Sequence, residues 1–88
     1  MSPRFPRVSG KEMIQFLLTQ GFKVVRIKGS HYILRNPEGR IATVPVHKNE
    51  ILGIGITRKI LQQADIPPEK FVKFLSGENV NKRKGVRL

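Results

Sequence analysis

The sequence of 88 residues contains no cysteine and no tryptophan. Without cysteine there is no disulfide framework and no thiolate zinc site, which fits a reducing compartment. Acidic residues are scarce: 6 Asp and Glu stand against 17 Lys and Arg, for a formal net charge of +11. The acids are scattered, so paired-carboxylate chemistry of the glycosidase kind is excluded. Long apolar runs are missing too. Pieces such as Phe16-Leu17-Leu18 fall far short of the ~20 residues that span a bilayer. The N-terminus shows no apolar stretch of the signal-peptide kind. A cytoplasmic protein with no membrane association is expected. The length suits one small domain and excludes a multidomain enzyme.

Several enzyme templates are absent as well. There is no G-x-x-x-x-G-K-[ST] phosphate loop and no H-E-x-x-H, and Gly53-Ile54-Gly55 lacks the third glycine of a dinucleotide site. Two histidines without clustered carboxylates offer too few ligands for a catalytic zinc. No metal and no cofactor are expected.

What the chain has in abundance is positive charge. Residues 22–48 carry Lys23, Arg26, Lys28, Arg35, Arg40 and Lys48 against Glu38 alone. Residues 76–88 carry Lys82, Arg83, Lys84 and Arg87 against Glu78. The folded part is therefore basic in its own right, and a compact basic domain points to nucleic acid.

Local patterns give the order of elements. Ser9 followed by Glu12 forms a capping box, Val8 can staple onto Met13, and Met13, Ile14, Leu17 and Leu18 make an apolar stripe at helical spacing. Gly21 supplies the left-handed residue that ends this helix. Lys23–Lys28, His31–Arg35 and Arg40–Val46 read as three strands joined at Gly29-Ser30 and at Asn36-Pro37-Glu38-Gly39. Pro45 cannot donate a ladder hydrogen bond and marks an edge or a strand end. A second helix should open near Gly55 or Ile56, with Ile56, Ile60, Leu61 and Ala64 buried. Pro67-Pro68 separates it from a short third helix with Phe71, Val72 and Leu75 on its apolar face.

The expected fold is α+β: a three-stranded antiparallel meander in the order α-β-β-β-α, helices on one face, and a short extra C-terminal helix. That order is the one of the double-stranded-RNA-binding domain. Residues 1–75 are expected to form the single domain and 76–88 a basic flexible tail. Tyr32 and Leu34 should point into the core, with His31, Ile33 and Arg35 on the open face.

Chemistry then rests on His31 and His47. Histidine is the side chain whose unperturbed pKa of ~6.5 suits proton transfer at neutral pH. RNA cleavage without a metal needs a base for the 2′-OH, cations for the crowded phosphorane, and an acid for the leaving 5′-oxygen. His31 follows a Gly-Ser turn whose backbone N–H groups could face a phosphate, with Lys28 and Arg26 close in sequence. Taken singly, His31 reads first as a surface residue at a strand end, and His47, which leaves a strand for a loop, does so more strongly.

The local words are more specific. Gly21-Phe22, Arg26, Lys28-Gly29-Ser30-His31, then Val44-Pro45-Val46-His47, then Gly55-Ile56-Thr57-Arg58-Lys59-Ile60-Leu61 stand in one order and spacing. The set resembles the HicA-type (YcfA-like) mRNA interferase family over about residues 9–66. Two positions depart from the frame: Tyr32 replaces a frequent second histidine, and the threonine of a Gly-Thr-Leu opening is shifted to Thr57.

The resemblance implies a toxin of a type II toxin–antitoxin system with a double-stranded-RNA-binding-domain-like fold. It implies a metal-independent endoribonuclease that cleaves mRNA, with the histidine of the Gly-Ser-His word, His31, as the catalytic residue. Arg26, Lys28, Ser30, Arg35 and His47 are the expected RNA-binding residues. The expected partners are single-stranded RNA or mRNA and an acidic HicB-type antitoxin. The competing expectations are a non-catalytic RNA-binding domain of similar fold, or a module whose basic sheet docks an acidic protein.

Overall fold

The computed structural model describes residues 6–48 and 50–77. α1 occupies Gly10–Thr19, β1 Lys23–Lys28, β2 His31–Arg35, β3 Ile41–Pro45, α2 Ile54–Ala64 and α3 Pro68–Ser76. The strands form an antiparallel meander in the order β1-β2-β3. This is the expected α-β-β-β-α architecture with a short third helix. Of the expected basic tail, Ser76 closes α3 and Gly77 caps it. The rest of the tail lies outside the described residues, as does the start of the irregular lead-in expected over residues 1–8.

The capping box at the start of α1 is reciprocal. Ser9 Oγ accepts the Glu12 N–H at 3.2 Å, while Glu12 Oε1 accepts the Ser9 N–H at 2.9 Å. At the other end Gly21 takes a φ of +94°, and the Phe22 N–H donates to the Leu17 carbonyl at 3.0 Å. The buried face differs from the expected stripe. It consists of Gly10, Met13, Phe16 and Leu17, and Leu18 is 48% exposed. The helix is turned toward Phe16 because that ring meets Phe71 and Phe74 of α3, with centroids 5.1 and 5.2 Å apart. Such aromatic pairs add to the apolar area buried.

α2 shows the same kind of correction. It opens at Ile54 behind Gly53, ahead of the expected Gly55 or Ile56. Helical periodicity from that start turns Thr57, Ile60, Leu61 and Ala64 inward and leaves Ile56 45% exposed. The buried Thr57 hydroxyl donates to the Gly53 carbonyl at 3.0 Å, so its burial leaves no unpaired polar group. Asp65, in the left-handed region at a φ of +59°, ends α2, and Pro68 sits in the first turn of α3.

The core lies on one side of the sheet. Leu34, Ala42 and Val44, with Tyr32 partly covered, pack against residues of all three helices. Among the described residues, no helix covers the other sheet face. α2 lies chiefly on β3, and Gln63 Oε1 accepts the Thr43 N–H at 3.1 Å, so a helix covers part of that strand's outer edge. α1 also meets β3. A Cβ at Gly10 would overlap the Pro45 carbonyl oxygen and stand 2.9 Å from Val46 Cγ2. Glycine at the head of α1 therefore lets the helix press directly on the end of β3.

Candidate nucleic-acid interface and active site

Partners directly opposite one another in an antiparallel sheet share a face. The register therefore writes three rows across the open face: Lys23–Arg35–Ile41, Arg26–Ile33–Thr43 and Lys28–His31–Pro45. The inward rows are Val24–Leu34–Ala42 and Ile27–Tyr32–Val44. A bulge between Val24 and Arg26 makes this arrangement possible. The extra residue, Val25, resets the alternation, so Lys23 and Arg26 fall on the same face although an odd number of positions separates them. That is the physical origin of the imperfect alternation in β1.

The open face is consequently basic. Lys23, Arg26 and Lys28 of β1 are exposed on it, as are His31 and Arg35. Among the described residues, no acidic side chain pairs with Lys23, Arg26, Lys28 or Arg35. Arg40 differs from them. Its guanidinium donates to the Gln63 carbonyl at 3.2 Å and lies 3.8 Å from the Asp65 carboxylate, which fastens it to the end of α2.

His31 opens β2. Lys28 stands directly across from it, which puts their Cβ atoms about 4.5–5.5 Å apart. The turn between them is the two-residue Gly29-Ser30, with Gly29 at a φ of +61° and Ser30 outside the left-handed region. Glycine at the first central position is the signature of a II′ hairpin turn, whose twist matches the flanking strands. Arg35 stands at the other end of β2, about 13 Å from His31.

His47 comes to the same corner from β3. The Val46 N–H donates to the Ser30 carbonyl at 2.7 Å, which carries the ladder one residue past Pro45. His47 Nε2 then lies 3.4 Å from Ser30 Oγ, a long contact whose donor depends on the imidazole tautomer. The His47 carbonyl accepts the Glu50 N–H at 2.7 Å, and Lys48 takes a φ of +43° in that tight turn. Farther on, the Leu52 N–H donates to the Val8 carbonyl at 2.7 Å, tying the loop to the segment before α1.

Of the expected site residues, Lys28, Ser30, His31 and His47 thus gather at one corner of the sheet, and Arg26 and Arg35 extend the charge across the open face. Lys23, a member of the basic segment 22–48 and not one of the expected RNA-binding residues, joins them because the bulge brings it to this face. Among the described residues, no three His, Cys, Asp or Glu side chains come together as metal ligands, and no helix is long and apolar enough to cross a membrane.

The arrangement offers exposed imidazoles for proton transfer beside cations that can hold phosphates. Comparison with known proteins bears on what it does. The family model described as the HicA toxin of bacterial toxin–antitoxin systems matches residues 10–66. That span runs from the head of α1 through α2 and contains every expected site residue. No curated protein sequence matches the chain.

Proposed function

The chain belongs to the HicA toxin family, and from that premise we propose that it is a metal-independent endoribonuclease that cleaves mRNA as the toxin of a type II system. The observation that carries this reading is the row Lys28–His31–Pro45 on a basic, uncovered sheet face. His31 is the catalytic residue. It takes a proton from the 2′-OH or gives one to the leaving 5′-oxygen, and imidazole does either near neutral pH. Lys28, Arg26 and Arg35 hold phosphates and spread the charge of the phosphorane. Ser30 shapes the turn, and His47 contacts the RNA beside it. Phosphate contacts of this kind give affinity and register and carry little sequence information.

A nuclease of this kind must be silenced in its own cell. The partner is an acidic HicB-type antitoxin that covers the basic face, and the working compartment is the cytoplasm. Residues 1–75 act as one domain with a basic tail.

Incubation of single-stranded RNA with excess EDTA tests the reading. The wild-type chain is expected to cleave and His31→Ala is not, with circular dichroism showing both folded. Equal cleavage by the two chains would remove His31 from the chemistry. RNA binding without cleavage by either would turn the weight to a non-catalytic RNA-binding domain.

A further inference from the structure

We propose that His47 is a second catalytic imidazole, which works with His31 as an acid–base pair across the Ser30 turn. The inference rests on the nuclease reading and deepens it.

Cleavage at a 2′-OH moves two protons in opposite directions. The 2′-oxygen forms a bond to phosphorus and the bond from phosphorus to the 5′-oxygen breaks. The 2′-OH proton passes to one base, and a proton from an acid passes to the departing 5′-oxygen. The products are a 2′,3′-cyclic phosphate and a 5′-hydroxyl, and no water is consumed. A single imidazole enters this step in one protonation state, so it serves one end of it. A second group supplies the other end.

The structure places one candidate against Ser30, the residue that precedes His31. His47 is the only other histidine in the sequence. Pro45 shares the open face with His31. Val46 packs on the core, and its N–H continues the ladder to the Ser30 carbonyl. The next residue, His47, follows the end of β3 and is exposed. Its Nε2 lies 3.4 Å from Ser30 Oγ, and His31 is the neighbour of Ser30 in the chain. On this proposal the serine orients one imidazole and leaves its other ring nitrogen for the substrate, an acid–base group held by a neighbouring residue in the manner of a catalytic triad. Catalytic hydrogen bonds are commonly long before substrate is bound. Both imidazoles are exposed, so RNA reaches them without any opening of the fold.

Among the described residues, the titratable and charged groups on the elements around His47 are few. Lys28 and His31 stand across the turn, Lys48 and Glu50 are on its own loop, and Lys11 and Glu12 lie in the first turn of α1, whose Gly10 packs on Val46. Glu12 is engaged in the capping box. Tyr32 faces inward.

The test is the pH–rate profile of single-turnover RNA cleavage by the full chain in EDTA, for wild type, His47→Gln and His31→Ala. Wild type is expected to give a bell with an acid and an alkaline limb. His47→Gln is expected to slow cleavage by about 10²–10⁴-fold and to lose one limb. A substrate with sulfur in place of the 5′-oxygen needs no acid at the leaving group. Recovery of His47→Gln on it assigns His47 as the acid, and continued loss together with a missing limb assigns it as the base. Ser30→Ala, which removes only the orienting hydroxyl, is expected to slow cleavage and keep both limbs. Circular dichroism checks each fold, and His47→Asn gives the same reading if the glutamine variant does not fold. A His47→Gln chain that keeps both limbs overturns the proposal, and inactive His31→Ala in the same assay then leaves the nuclease reading standing. Cleavage by His31→Ala at the wild-type rate overturns both.

Discussion

Replacing Arg26 and Arg35 together by alanine should change how RNA affinity responds to salt by an amount that the register allows one to work out. Both side chains lie on the open face, and neither has an acidic partner among the described residues. For single strands the logarithm of the binding constant falls against the logarithm of salt with a slope of about −0.7 for each phosphate neutralised. Losing two contacts should make the slope shallower by about 1.4. Between 50 and 200 mM salt the wild-type chain should therefore lose about 7-fold more affinity than the double variant. Fluorescence anisotropy with a short single-stranded RNA measures this, with His31→Ala in both chains to prevent cleavage. The difference is independent of what the tail contributes, because both chains carry it. Arg40→Ala is the control, since its guanidinium is fastened to Gln63 and Asp65. An unchanged slope in the double variant, or an equal change in Arg40→Ala, would refute the placement of RNA on this face.

Further outcomes concern the scaffold. Phe71→Ala removes a fully buried ring that meets Phe16 at 5.1 Å, and should cost about 3–5 kcal/mol in urea unfolding. Gly10→Ala brings a methyl onto the Pro45 carbonyl and Val46. An overpacking cost of about 1–3 kcal/mol, offset by up to about 1 kcal/mol of helix propensity, should lower the melting temperature and slow RNA cleavage through the displaced end of β3. Ser9→Ala breaks one half of the capping box and should cost about 1 kcal/mol without altering RNA affinity. Truncation after Gly77 should leave the thermal melt unchanged and weaken RNA binding at low salt, because the cations removed lie beyond α3.

Much of this molecule can be read from short words in its chain. Ser9 and Glu12 fix the start of α1, Gly21 fixes its end, and β1 and β2 fall at the expected residues because Gly29-Ser30 admits a two-residue hairpin. The inward position of Leu34 and the outward position of His31 and Arg35 follow from strand alternation alone. Other features depend on partners distant in sequence. Phe16 displaces Leu18 from the buried stripe of α1 because two rings of α3 meet it. Thr57 displaces Ile56 because the preceding loop lets α2 begin at Ile54. The bulge at Val25 answers to the pairing with β2, and it is what brings Lys23 to the open face. The contact between Ser30 and His47 spans 17 residues and exists only because the meander returns β3 to the hairpin turn. The words around each histidine are visible in the sequence, and their meeting is a property of the fold.

The central claim is that the chain cleaves RNA through attack by a ribose 2′-OH, with His31 as one of the groups that move a proton in that step. The most direct measurement compares single-turnover cleavage of one RNA oligonucleotide with its fully 2′-O-methylated counterpart, in EDTA, by the wild-type chain. The account predicts that the RNA is cut to fragments with 2′,3′-cyclic phosphate and 5′-hydroxyl ends and that the methylated strand stays intact. Equal cleavage of the methylated strand, or fragments carrying 5′-phosphates, would contradict it.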